Sequence, residues 1–225
     1  EQIQNGEITV SRKVYQTYKK VIRDLDTENV QMWYYSPARG NHIIEFFENY
    51  LRHSKGKMGG QRVILELWEK AMLATIFGFI DIEGNRKYQK AGLIVGKKNG
   101  KSLLASGVGL YMQCADGESG PEIYSAATKK DQAKIIWLES KRMVKKSPTL
   151  SKKVKALVAE LDSDFNDGVF KPLSSDSDTL DGLNIHCALM DEFHQWKNGR
   201  PLYDILADGI SAREQPLIFM TSTAG

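Results

Sequence analysis

Apolar residues along the chain follow two different spacings, and the change falls near Lys90. Before it, helical spacing dominates. In residues 11–25, SRKVYQTYKKVIRDL, Val14, Tyr18, Val21, Ile22 and Leu25 share one face, with Ser11 placed to cap the helix. SPARGNHIIEFFENYL opens a second helix with Ser36 before Pro37, a favoured entry. ILELWEKAMLATIFGF predicts a third, with Leu65, Trp68, Met72, Ile76 and Phe77 on one stripe. All three stripes read as core-packing faces. Beyond Lys90, four short apolar runs bounded by turn residues, AGLIV, EIYSAA, IHCALM and PLIFMTS, read as buried strands. A helix is predicted between two of them, in TKKDQAKIIWLESKRMVKK. There Thr128 and Asp131 have capping-box spacing, and Ala133, Ile136, Trp137, Met143 and Val144 recur at helical intervals. Strands that alternate with helices imply a mostly parallel sheet with helices on both faces. The polar stretch SSDSDTLDGLN reads as a long loop.

Composition narrows the function classes. At 225 residues and 41% hydrophobic, the chain is long enough to bury one large core, and we read a single domain. A net charge of +3, from 31 basic and 28 acidic side chains, means that any nucleic-acid contact must be local. No stretch reaches the roughly 18 apolar residues of a membrane helix, and the N-terminus lacks the order of a secretory signal, so a soluble cytosolic protein is expected. Cys114 and Cys187 both sit in apolar runs and read as small buried hydrophobes. His186, Cys187 and His194 lie close in sequence, but His186 and Cys187 are strand neighbours that point to opposite faces, which argues against zinc. The basic run Lys141, Arg142, Lys145, Lys146, Lys152, Lys153 and Lys155 reads as a solvated surface, with a DNA track as the alternative.

The chemistry concentrates in three places. GLIVGKKNGKSLLASGVGLY combines a strand, a bend and a helix opening with Gly100, Lys101 and Ser102, the layout of a phosphate-binding loop. Lys101 is placed to reach terminal phosphates, and the Ser102 hydroxyl to ligate Mg²⁺. The pattern GxxxxGK[ST] wants a glycine at position 95, where this chain has Val95 followed by Gly96. The strand IHCALM ends in Asp191 and Glu192. A carboxylate at the end of a buried strand needs compensation, which a magnesium ion supplies. Asp191 is the expected metal ligand and Glu192 the group that orients and activates water. A further strand, PLIFMTSTAG, ends in Thr221, Ser222 and Thr223, whose hydroxyls either sense a terminal phosphate or cap a turn.

Taken in order from about Arg62 to Gly225, VGKKNGKS, EIYSAATKKDQAKIIW, FKPLSSDSDTLDGLNIHCALMDEFHQW and AREQPLIFMTSTAG resemble the N-terminal ATPase domain of the large terminase subunit of tailed bacteriophages. The resemblance implies a P-loop NTPase of the additional-strand, catalytic-glutamate type over 61–225, with a helical N-terminal extension over 1–60. It implies ATP and Mg²⁺ as cofactors and the packaging of double-stranded DNA into a preformed capsid. It also implies a homo-oligomeric ring on the portal protein, a small terminase subunit as partner, and action in the cytoplasm of the infected bacterial host. Position by position, it assigns Gly96, Lys97, Lys98, Asn99, Gly100, Lys101 and Ser102 to a deviant phosphate loop, with Lys97 where the family keeps a phosphate-contacting basic residue. Asp191 and Glu192 match the metal aspartate and the catalytic glutamate, and Thr221, Ser222 and Thr223 match the coupling motif. Trp68 and Glu69 fall on the adenine-side motif, where the family has glutamine after the tryptophan. A carboxylate accepts from the adenine amino group but cannot donate to a ring nitrogen. Arg213, before the coupling strand, is the candidate for a basic residue acting on a neighbouring subunit's nucleotide, a role within its own subunit being equally compatible. The chain stops on the coupling strand, so the family's nuclease activity is not expected from it.

Two other readings remain. DEFH and AATKKDQA have the form of a DExH helicase-type ATPase, which needs a second motor domain that this length does not accommodate. A non-catalytic DNA-binding module gives no reason to keep Lys101, Ser102, Asp191 and Glu192 together.

Overall fold

The structure, a computed structural model, describes residues 2–26, 32–175 and 182–223. Along the chain run α1 (Arg12–Asp26), β1 (Tyr34–Tyr35), α2 (Pro37–Tyr50), α3 (Leu67–Gly78), β2 (Phe79–Ile80), β3 (Lys90–Val95), α4 (Lys101–Cys114), β4 (Glu122–Ala127) and α5 (Lys130–Lys146). They are followed by β5 (Lys155–Ala156), β6 (Leu161–Ser163), β7 (Gly168–Ser174), β8 (Ile185–Met190), α6 (Arg200–Gly209) and β9 (Leu217–Thr223). Most of the expected long loop, residues 176–181, lies outside the described residues.

The four predicted strands are β3, β4, β8 and β9, and they form the heart of a seven-stranded sheet of order β3-β9-β8-β4-β7-β6-β5. The first five strands are parallel, and β6 and β5 continue the sheet antiparallel. One strand, β9, therefore separates the phosphate-loop strand β3 from the acidic strand β8, which is the additional-strand arrangement. Helices cover both faces. On one side Ile43, Phe47, Leu73, Leu104 and Leu110 from α2, α3 and α4 meet Phe170 and Leu189 of the sheet. On the other, Leu202 and Leu206 of α6 pack on Tyr124, Ala188 and Ile218. With both faces covered, β8 is buried throughout, which is why it reads as an unbroken apolar run.

Helix α4 is buried from Leu104 to Gln113. Its small residues permit close approach: a Cβ on Gly107 would stand 2.3 Å from the Phe47 ring and 2.9 Å from Leu51. Helix α2 starts at Ser36, whose hydroxyl accepts from the Arg39 amide at 3.4 Å. Although it lies within the first 60 residues, it contributes Ile43, Phe46 and Phe47 to the main core.

Three local expectations need correction. The α1 stripe is not core: no residue of that helix is buried, and Val14 and Leu25 are 40% and 47% exposed, because α1 lies at the periphery beside the short strand β1. Trp68 departs from the α3 stripe and is 37% exposed, while Leu73 takes the fully buried place. The N-cap of α5 is Lys129, without a side-chain capping bond, so Thr128 does not close a capping box.

The edge of the sheet where the parallel strands begin carries a buried ionic cluster. Arg86 donates to both oxygens of Asp116 at 2.8 and 3.0 Å and to the Gln215 carbonyl, with its guanidinium 4.9 Å over the Phe77 ring. His186 Nε2 lies 2.9 Å from Asp116. Burial acts to raise the Asp116 carboxyl, but the Arg86 charge and the bonds from His186 and Arg86 outweigh it and hold the carboxyl below the usual carboxylate range.

Candidate active site

Three adjacent parallel strands bring the predicted residues together. Val95 of β3 pairs with Thr223 of β9, so these two strands end together, while β8 ends at Met190 opposite Met220, which leaves Asp191 and Glu192 to run on beside Thr221–Thr223. The segments that leave these strands must meet at that edge, where ligands of parallel α/β sheets bind. After Val95 the chain turns through Gly96 to Asn99. The turn is held by the Asn99 side chain, whose Nδ2 donates to the Gly96 carbonyl at 3.1 Å, and Lys98 is left-handed at φ 67°. Gly100, the N-cap of α4, is left-handed at φ 72°, a conformation that favours glycine. The free amides of the first turn of α4 and its dipole then face the end of the sheet.

Lys101 crosses this edge. Its Nζ donates to Asp191 Oδ1 at 2.8 Å and also contacts Glu192 Oε1. Burial acts to lower the lysine, but bonds and charge from the two carboxylates prevail and raise it. Glu192 shifts the opposite way: burial pushes its carboxyl up, while Lys101 and the Thr223 amide and hydroxyl together pull it below the ordinary range. Thr223 donates to Glu192 Oε2 from its amide at 3.1 Å and its hydroxyl at 3.0 Å. Thr221, fully buried, donates to Asp191 Oδ1 at 2.8 Å. Ser222 meets His194 Nδ1 at 2.6 Å. The three hydroxyl residues that end β9 thus each reach the segment that carries Asp191 and Glu192.

The remaining candidates fall in different places. Lys97 and Lys98 are exposed on the loop, and Ser102 is half-buried beside Lys101. Glu69 lies next to the loop, with Oε1 4.0 Å from where a Cβ on Gly100 would stand. Its other oxygen accepts from the Glu66 amide at 2.8 Å, and burial pushes the carboxyl up. Arg213 is not brought to this edge. It precedes β9 at the opposite end of the strands, where it donates to Glu118 at 2.6 Å and to the carbonyls of Ser119 and Gly120 at 3.1 and 2.7 Å. Its side chain is 10% exposed and clamps the turn before β4, a structural role within its own chain.

Two features escape the sequence. Trp196 Nε1 donates to the Asp191 carbonyl at 3.1 Å and fixes the exit of β8, a contact that its position in an irregular segment does not announce. A cleft of about 490 Å³ adjoins the loop, bounded by Lys98, Gly100 and Ser102 on one side and by Ser54, Leu138 and Arg142 on the other. Its far wall comes from residues 53–55, which are brought in by the Ser54 hydroxyl bond to Glu139 at 2.6 Å.

The profile of the family described as terminase large subunit, ATPase domain, matches residues 67–225. The chain belongs to that family. It is 26% identical over 197 residues to the terminase large subunit of Enterobacteria phage HK97, an alignment that takes in 83% of this chain and 37% of that one. The crystal structure of the HK97 bacteriophage large terminase superposes with a TM-score of 0.68 at 24% identity, covering 82% of this chain and 37% of that one, which shows a shared fold. The chain therefore spans just over a third of the length of these terminase relatives. The terminase match begins at Leu67, the first residue of α3, and includes the loop, the acidic strand end and the coupling strand.

Proposed function

We propose that this chain hydrolyses ATP as the motor domain of a terminase large subunit, driving double-stranded DNA into a preformed capsid. The observation that carries the reading is the convergence of Lys101, Asp191, Glu192 and Thr221–Thr223 on one sheet edge, at the N-terminus of α4. Lys101 and the amides that open α4 would hold the β- and γ-phosphates. The donors available to a metal are oxygens, the Asp191 carboxylate and the Ser102 hydroxyl. One carboxylate and one hydroxyl completed by substrate phosphates fit Mg²⁺, which ordinarily keeps few protein ligands. When bound, the ion neutralises charge that develops on the phosphate oxygens. Lys101 contacts both carboxylates, so phosphate binding must draw it away from Glu192, leaving that carboxylate to orient a water on the γ-phosphorus and accept its proton. Loss of the phosphate is then read by Thr223, which shares the Glu192 carboxylate.

As the motor of a packaging complex, the domain would work in a ring at the portal vertex, with a small terminase subunit as partner, inside the infected host. No described helix is long and apolar enough to cross a membrane. Titration with a fluorescent ATP analogue in Mg²⁺ tests the loop assignment. Lys101→Ala should lose measurable binding while still unfolding in one cooperative transition, and undiminished affinity in that variant would remove the phosphate loop from the reading.

A further inference from the structure

We infer that His194 is a positioning residue that binds the hydrolytic carboxylate and the coupling strand into one unit. Glu192 is held at φ 46°, ψ 43°, a left-handed conformation that is sterically unfavourable for a residue with a side chain. Such a conformation persists only where its surroundings over-determine it. The surroundings are on three sides. The Glu192 amide donates to Asp191 Oδ1 at 3.0 Å, Lys101 holds Oε1, and Thr223 holds Oε2. His194 supplies the remaining contact, because its Nδ1 stands 3.3 Å from Glu192 Oε2 and 2.6 Å from the Ser222 hydroxyl.

Alternation along β9 explains why a second residue is needed. Thr221 and Thr223 project to one side of the strand and Ser222 to the other. The threonines reach the acidic pair directly, whereas Ser222 reaches it through the imidazole, two residues after Glu192 in a single turn of 3-10 helix. The contacts close a ring from Glu192 through Thr223 and Ser222 to His194. With the imidazole in place Ser222 is 5% exposed, and its hydroxyl also reaches the Thr223 carbonyl at 3.4 Å. A carboxylate gripped in this way cannot swing without moving the end of β9. The same ring keeps Glu192 aimed during hydrolysis and transmits its movement to the strand. His194 itself touches neither phosphate nor metal in this scheme; it acts through Glu192.

The inference rests on Glu192 as the hydrolytic group, so Glu192→Gln is the reference in its test. Nucleotide affinity, kcat and unfolding midpoint are measured on the full-length large subunit for His194→Ala, His194→Asn, Ser222→Ala and the Ala/Ala double variant. Misplacing a reacting group by about an ångström costs up to roughly a hundredfold, so His194→Ala should lower kcat ten- to a hundredfold with affinity for Mg-ATP within twofold. His194→Asn, whose amide can occupy the place of Nδ1, should recover most of that loss. Ser222→Ala, which leaves the contact of His194 with Glu192 in place, should lower kcat by less than His194→Ala, and the double variant should be no slower than His194→Ala, since the serine acts through the imidazole. If Glu192→Gln turns over normally, the reading of the site falls. If Glu192→Gln is slow while His194→Ala and Ser222→Ala are unimpaired, or their losses multiply, the site stands and the link through His194 is overturned. Should His194→Ala fail to fold, Ser222→Ala and His194→Asn decide alone: a full-rate Ser222→Ala overturns the link.

Discussion

Replacing Asp116 by asparagine should be one of the most destabilising single changes in the chain, although Asp116 lies at the sheet edge opposite the nucleotide loop. Its carboxylate accepts from both terminal nitrogens of Arg86, and His186 bonds to it at 2.9 Å. Arg86 and Asp116 side chains are both 3% exposed, so solvent cannot replace the lost partner. Asparagine keeps the shape but leaves the guanidinium charge buried and uncompensated. Removing one partner of such a pair costs about 3–5 kcal/mol. For a domain of this size each kcal/mol moves the midpoint by about 2–4 °C, so the thermal midpoint should fall by roughly 6–20 °C. Urea denaturation of parent and variant gives the difference directly. The sign with pH comes from the lowered carboxyl: its contribution is complete above the ordinary value of 3.8 and is lost as pH falls through the depressed folded value. The gap between parent and variant should therefore stay constant from about pH 5 to 8 and narrow below about pH 4. Replacing both members, Arg86→Met with Asp116→Leu, should recover part of the loss, because the orphaned charge is then gone. A single-variant cost under about 1 kcal/mol, or a gap that does not narrow in acid, would refute the assignment of a charged, mutually dependent pair.

Other changes test the same geometry. Gly107→Ala would set a Cβ 2.3 Å from the Phe47 ring, so overpacking should cost about 1–3 kcal/mol in denaturant titration, and a neutral result would mean that α2 and α4 pack less closely than described. Glu69→Gln keeps an oxygen for the Glu66 amide and adds a donor beside Gly100. It should therefore fold normally and tighten ATP relative to GTP in competition binding, whereas unchanged base preference would place adenine recognition elsewhere.

The sheet was legible because strands buried on both faces leave continuous apolar runs, as Ile185–Met190 does. The three strands beyond β4 were not. β7 carries Lys171 and Pro172 within its span, and β5 and β6 have only two and three residues, so neither alternation nor an apolar run marks them. Helix α1 misled for the opposite reason: a clear apolar stripe records amphipathicity, not how deeply the helix is inserted. In the site, Lys101, Asp191, Glu192 and Thr221–Thr223 were readable because each belongs to a recognisable strand end or loop. Arg213 shows the limit of that approach. Its place before β9 suggested either a neighbouring subunit's nucleotide or a role within its own subunit, and its bonds to Glu118 and to the Ser119 and Gly120 carbonyls supply the second. The link through His194 depends on a single 3-10 turn that carries no sequence period.

The central claim is that Glu192 performs hydrolysis on a nucleotide held by the loop of Lys101. Single-turnover hydrolysis of radiolabelled ATP by the full-length subunit, alongside equilibrium binding of the same nucleotide, tests it most directly. Glu192→Gln keeps the size and much of the hydrogen bonding of the side chain but removes the charge that accepts a proton. Mg-ATP binding should stay within a few-fold of the parent, and cleavage should slow by roughly 10²–10⁴, the usual contribution of a general base. Cleavage at the parental rate in that variant, with nucleotide bound, would contradict that claim.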